Sequence, residues 1–228
     1  MWYEKKTLLY ENSLSSPADV KGFQLEGQAE ITFPEGRLRL RNTMPEAEGQ
    51  RANIVYWCGE EFPSDVEINW EFYPLSGKGL CIFFFSAKGC NGEDIFAPVL
   101  SKRTGEYHMY HSGDINAFHV SYYRRMYETE RCLHVANLRK SRGFHLVAQG
   151  ADPIPYPEEA KPPYRIRVVK CGNVVEFYIE DIFIFRFEDD GKTWGKLLGG
   201  GKIGFRQMSP MVGEYANLKV YAVEKTNK

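Results

Sequence analysis

The chain has 228 residues, 43% hydrophobic and 26% charged, a balance typical of globular proteins and too apolar for a disordered one. Its 29 Lys and Arg against 30 Asp and Glu leave a net charge of −1, with no basic block to follow a phosphate backbone, so nucleic acid is not expected as a partner. No run approaches eighteen apolar residues and the opening MWYEKKTLLYENS lacks a signal-peptide core, so neither a membrane span nor secretion is expected.

In chain order, Trp2–Tyr10 reads as a first strand, followed by a Ser/Pro/Asp loop to Asp19. Phe23–Ile31 and Arg37–Arg41 read as two strands turned at Pro34-Glu35-Gly36. Asn53–Cys58 is a further apolar run, Asp65–Phe72 alternates cleanly, and Leu80–Phe85 is apolar on both faces, the pattern of a strand covered from both sides. A connection from Ala87 to Gly105 is of a length that is expected to be either functional or disordered. Then comes AFHVSYYRR, whose two-residue period sets His119, Ser121, Tyr123 and Arg125 on one face and Phe118, Val120 and Tyr122 on the other. Cys132–Leu138 and Phe144–Val147 continue the strand pattern, and the loop Asp152–Pro163, with its five prolines, stands outside any central strand. Strands at 165–170, 174–180, 182–188, 201–206 and 216–224 finish the chain, with no long helix and no repeat. A dozen short strands at this spacing predict one all-β domain over residues 1–228, an antiparallel two-sheet sandwich of the concanavalin A-like jelly-roll kind. The outer face of one bent sheet is expected to form an open groove suited to a long polar ligand.

The five cysteines, at 58, 81, 90, 132 and 171, are odd in number and form no C-x-x-C pair. They read as reduced thiols of a cytoplasmic protein rather than a disulfide framework or a zinc site. All five histidines lie between positions 108 and 145, a crowding of titratable rings that marks a candidate site.

Three chemistries compete for it. Glu67-Ile68-Asn69-Trp70-Glu71 resembles the catalytic strand of retaining laminarinase-type glycosidases, but its centre is Asn69. Glu67 and Glu71 would also stand about 13 Å apart on a straight strand, against the about 5 to 5.5 Å that retaining chemistry needs. β-Elimination beside a uronate carboxyl needs a base, a carboxylate-neutralising cation or amide and an acid. His119, Tyr123, Arg125 and His134 are the candidate catalytic residues for it, with Arg206 and Gln207 as ligand-binding partners. A non-catalytic sugar groove uses the same residue types, with Trp57, Tyr107, Tyr110, Tyr122 and Tyr123 offered for stacking on pyranose faces. Glu93, Asp94 and Asp114 carry hard oxygens but read as solvated turns rather than a calcium site. His108 and His111 lack a third ligand for zinc, so no metal or cofactor is expected. Arg139-Lys140-Ser141-Arg142 reads as a solvated hairpin end that also suits an acidic sugar. A protein-interaction sandwich without a sugar site is the rival class, and the sequence does not fix an oligomeric state.

The runs GEDIFAP at 92–98, RTGEYHMYHSGDINAFHVSYYRR at 103–125 and KIGFRQM at 202–208 resemble the YesU-like proteins, a bacterial family of concanavalin-like or galectin-like jelly rolls. The likeness runs over essentially the whole chain. It implies a cytoplasmic protein tied to the use of pectin, rhamnogalacturonan in particular, and brings no settled activity. The matching block nominates Tyr110, His111, Asp114, Asn116, His119, Tyr123, Arg124 and Arg125 as site residues. With Trp57, the ligand-binding set is then Tyr110, His111, Asn116, Arg124, Arg206 and Gln207, and the expected partner is an acidic plant-wall oligosaccharide.

Overall fold

A computed structural model describes residues 2–226. Its strands, in chain order, are β1 Tyr3–Asn12, β2 Gln24–Glu26, β3 Ala29–Thr32, β4 Leu38–Asn42, β5 Ile54–Phe62, β6 Val66–Pro74, β7 Leu80–Gly89 and β8 Ile115–Tyr122. They continue with β9 Val135–Lys140, β10 His145–Ala151, β11 Tyr164–Cys171, β12 Val174–Ile179, β13 Ile182–Glu188, β14 Gly201–Met208 and β15 Val212–Lys225. Two one-turn helices, α1 His108–His111 and α2 Glu128–Cys132, flank β8.

These strands form two antiparallel sheets. One runs β13-β12-β11-β6-β15-β4-β3 with β1 added on β15, and the other runs β10-β9-β8-β7-β14-β5-β2. Alternation explains the sandwich: in β6, Ile68, Trp70 and Phe72 point inward while Asn69, Glu71 and Tyr73 stay partly exposed. The inner layer joins them to Phe83, Phe85, Val120, Tyr122, Phe205 and Tyr215, with the Trp70 and Phe83 rings stacked at 4.2 Å. β7 is buried on both faces, as its unbroken apolar run predicts.

The expected strand Phe23–Ile31 is two strands in different sheets, β2 on β5 and β3 on β4. The chain crosses at Gly27, which holds φ +92° and where a Cβ would lie 2.4 Å from the Asn53 carbonyl oxygen. Only glycine allows that crossing.

A second departure decides the site. The parity of β8 holds from Phe118 to Tyr122 and then fails, because Tyr123 takes φ +48° and turns its ring into the inter-sheet core, fully buried. The Asp152 carboxylate fixes this turn by accepting the Tyr123 amide at 2.7 Å, and the Tyr123 hydroxyl donates to the Ser76 carbonyl at 2.9 Å. A left-handed residue ends the two-residue period wherever it falls, so Tyr122 and Tyr123 share the inner side.

Candidate functional site

Across the outer face of the seven-stranded sheet, register aligns Arg139, His119, Phe84, Gly204 and Trp57 in one row. The next outward row is Asn137, Ser121, Ile82, Arg206 and Val55. The groove expected on this face is only partly open.

The β7–β8 connection folds over the β5 and β14 end and fills it with Ile95 and Tyr110, packed on Trp57 and Phe84. Glu26 pins this cover. It accepts hydrogen bonds from Trp57 Nε1 at 2.9 Å and the Tyr110 hydroxyl at 2.7 Å, and its other oxygen pairs with Arg103 at 2.8 Å. Trp57 and Tyr110 are therefore fully buried and cannot serve as stacking platforms. The Gly204 position is tight for the same reason: a Cβ there would meet the Trp57 ring at 2.5 Å. Arg206 points outward as parity predicts, yet it lies completely under the connection. It donates to the Gly105 carbonyl and, at 3.4 Å, to Gln50, between the rings of Tyr107 and Tyr110. Its Nε has no partner among the described residues.

The β8–β9 end stays open as a hollow of about 200 Å³ lined by Gln50, Ile82, Tyr107, Ser121, Arg124, Tyr127, Glu130, Asn137, Arg139 and Phe144. Two guanidiniums face one carboxylate there. Arg124 pairs with Glu130 at 2.6 Å and abuts the Asn137 amide, whose oxygen, turned to Arg124, satisfies both groups. Arg139 has no carboxylate partner among the described residues. Its guanidinium donates to the Phe144 carbonyl at 2.9 Å and lies 3.7 Å over the Phe144 ring. Burial, and then the like charge of Arg124, hold the Arg139 pKa below its ordinary value, as expected of a cation lacking an anion.

His119 does not line the hollow but lies behind its Tyr107 and is 1% exposed. Its Nδ1 is 2.7 Å from the Tyr107 hydroxyl and its Nε2 3.2 Å from Ser141 Oγ. Ser141 donates its one hydroxyl proton to the Tyr110 carbonyl at 3.1 Å, so Nε2 must carry the histidine proton and Nδ1 must accept from Tyr107. Burial, with Arg139, His111 and Arg206 adding to it, keeps the His119 pKa well below 6.5, in agreement with that neutral tautomer. Burial lifts the Tyr107 phenol to about 12, against the opposing pull of Arg206, Arg139 and Arg124.

Of the residues nominated from sequence, Arg124 thus lines this hollow, His119 lies behind it on the Tyr107 hydroxyl, and His111 packs against Tyr107 and Phe144. The others lie elsewhere. Arg125 is wholly buried, bonded to Asp152 at 3.3 Å and to the Ile154 carbonyl at 2.8 Å, and it ties the Pro-rich loop to the end of β8. The expectation that it emerges beside His119 and Tyr123 is corrected by the turn at Tyr123. Gln207 has the opposite parity from Arg206 and bonds Tyr215 inside the sandwich. His134 packs on Tyr156, and burial and the charge of Arg125 lower its pKa. Asn116 accepts the Arg142 amide at 3.0 Å, a turn-holding contact. Within the expected hairpin end, Lys140 and Ser141 are buried, and Lys140 pairs with Asp189 at 2.6 Å.

Asn137, Tyr127, Phe144, Gln50 and the role of Ser141 escaped the sequence reading. Alternation in VANLRK carried the signal for Asn137 and Arg139, which share a face and pair across from Ser121 and His119. Glu93, Asp94 and Asp114 are engaged separately, by Asn91, by Phe96 and Lys202, and by the Ser101 amide. No group of three metal-ligating side chains occurs among the described residues.

Glu67, Asn69 and Glu71 project from the other sheet, into a depression of about 670 Å³ shared with Tyr3, Lys5, Arg165, Arg167 and Lys219. Its charges answer one another. Burial raises the Glu67 pKa, but bonds from Lys5, Tyr3 and Asn69 outweigh it and hold the group below its ordinary value. Arg167 bonds Tyr3 and faces Asp181.

A family model described as "Domain of unknown function (DUF1961)" matches residues 7–220. A Bacillus subtilis (strain 168) protein described as "Uncharacterized protein YesU" is 48% identical over 219 residues, 96% of this chain and 97% of that protein. A Bacillus subtilis crystal structure described as a protein of unknown function with a galectin-like fold superposes at TM-score 0.95, with 46% identity over 98% of this chain and 100% of that one. An endo-β-1,3-glucanase from Pyrococcus furiosus superposes at TM-score 0.61 with 10% identity over 96% and 95% of the two chains, a likeness of fold alone.

Proposed function

The chain belongs to the DUF1961 family and has a galectin-like fold, and from that premise we propose that it binds an acidic oligosaccharide in the hollow over β8 and β9. One observation carries the reading: Arg139 is a half-buried guanidinium held between an aromatic ring and a carbonyl with no carboxylate partner among the described residues, beside Arg124. Such a site is short of an anion, and a uronate carboxylate supplies one with the bidentate geometry guanidinium prefers. Tyr127 and Phe144, both about half exposed, give the apolar walls on which a pyranose ring stacks. At about 200 Å³ the hollow is below the about 300 to 1,000 Å³ of usual ligand pockets, so it takes one sugar unit of a chain that continues across the rim.

Pectic oligosaccharides, including those of rhamnogalacturonan, are the plant-wall class whose carboxylates fit. A role in their breakdown after uptake is part of the same proposal. The five free cysteines suit the reducing cytoplasm this assigns to the protein. A thermal-shift screen tests it: oligogalacturonate is expected to raise the melting temperature while neutral galactan fragments of equal length do not. Equal response to both, or to neither, counts against the proposal.

A further inference from the structure

The hydrogen-bond chain under the hollow is more than a carbohydrate-binding site needs. Stacking and carboxylate recognition are complete with Arg139 and the exposed rings. Yet the same hollow places a tyrosine hydroxyl on a histidine nitrogen that is free to take a proton. From Tyr107 Oη to His119 Nδ1 is 2.7 Å, from Nε2 to Ser141 Oγ 3.2 Å, and from Oγ to the Tyr110 carbonyl 3.1 Å. The last bond fixes the direction of all the others. Cross-strand pairing of His119 with Arg139 sets this relay next to the guanidinium.

We infer that Tyr107 is a catalytic residue for β-elimination of a 4-linked uronate, with His119 as its positioning residue and Arg139 holding the carboxylate. The inference rests on the anionic-sugar reading above. With the carboxylate on Arg139, the adjacent C5 proton becomes acidic because the guanidinium takes up the charge that develops on the carboxylate oxygens. Tyr107 Oη accepts the C5 proton as its own proton passes to His119 Nδ1. The C4–C5 double bond forms, the C4–O4 bond breaks, and the departing O4 takes a proton from Tyr107 Oη. His119 then returns its proton to Tyr107. Protons and electron pairs balance with no metal, redox partner or water consumed, and the products are a new hydroxyl end and a 4,5-unsaturated uronate. Burial among cations disfavours charging His119 in the free protein, and the bound carboxylate offsets those cations, which ties proton transfer to an occupied site.

The test uses the purified full chain and two readouts, calorimetric binding of oligogalacturonate and the ultraviolet absorbance of its unsaturated product. The inference expects both in the parent. Tyr107→Phe keeps the ring but removes the transferable proton, so it should lose at least about a hundredfold in kcat with binding within twofold. His119→Asn offers an acceptor that takes no proton, so its kcat should fall with KM unchanged. Binding without unsaturated product from oligogalacturonate or a rhamnogalacturonan oligosaccharide overturns the elimination and leaves the binding reading standing. No binding of either sugar overturns both. An absorbance rate in Tyr107→Phe equal to the parent's overturns the role of Tyr107 whatever happens at His119.

Discussion

The two ends of one sheet face carry opposite electrostatic designs. Toward β5 and β14 the partly buried carboxylate of Glu26 is met by Arg103, Trp57 and Tyr110, and the β7–β8 connection packs apolar side chains beside it. Toward β8 and β9, Arg124 and Arg139 share a single carboxylate among the described residues, Glu130, which pairs with Arg124. Buried charge is retained in a fold when it is paired and bonded, so the Glu26 cluster of the first end, unlike its neighbour Arg206, is complete as it stands and serves stability. The second is left with one cation more than its carboxylates, which is the ground for the ligand proposed there. The depression on the opposite sheet belongs with the first type despite its larger volume, because its own residues satisfy Glu67 and Arg167. Partner accounting separates the two types of surface better than size does.

That contrast is broken most severely by removing the pin of the closed end. Glu26→Ala leaves Arg103 unpaired and two donors unmet, and should cost about 3 to 5 kcal/mol of stability, read by urea denaturation. Arg139→Gln at the open end should do the reverse. Affinity for oligogalacturonate should fall tenfold or more, about 1.5 to 3 kcal/mol for a charged hydrogen bond, while the urea midpoint barely moves. If Arg139→Gln instead unfolds the protein with binding intact per folded molecule, the two ends are alike. Tyr123→Phe sharpens the boundary between them: losing its bond to the Ser76 carbonyl should cost about 0.5 to 1.5 kcal/mol of stability and leave sugar affinity unchanged.

The smallest effect is on the pH dependence of stability. His119 has a pKa well below 6.5 when folded, so below 6.5 the unfolded chain takes up a proton that the fold refuses. Stability should therefore be full above 6.5 and decline as pH drops toward the lowered value. His111 and His134, both lowered chiefly by burial, act in the same direction. A melting series from pH 7.5 to 5 in buffers of about equal ionic strength should show a shallower decline for His119→Asn than for the parent. Parallel curves would remove His119 as the source.

The sequence made the layers legible because the patterns are local: EINWEF and VVEFYI declare their buried side by alternation, and CIFFF its burial on both faces by an unbroken apolar run, without reference to the rest of the chain. It also gave the outward face of β8 correctly through Tyr122. It could not show where the alternation stops, since the φ of Tyr123 is set by a carboxylate 29 residues later, nor that Gly27 carries the chain from one sheet to the other. The covering of Trp57, Tyr110 and Arg206 was hidden for a related reason. A long loop reads as a loop, and what it lies on is a tertiary fact. His119 was found by composition and strand parity, whereas Arg139 needed the pairing of β8 with β9 to be seen as its neighbour.

The most direct measurement is a crystal structure with an oligogalacturonate bound. The account places a uronate carboxylate within hydrogen-bond distance of the Arg139 guanidinium, its ring against Phe144 or Tyr127 and its C5 toward Tyr107. Sugar seated instead on the opposite sheet, among Glu67, Arg165 and Lys219, with the hollow over β8 and β9 unchanged, would contradict it.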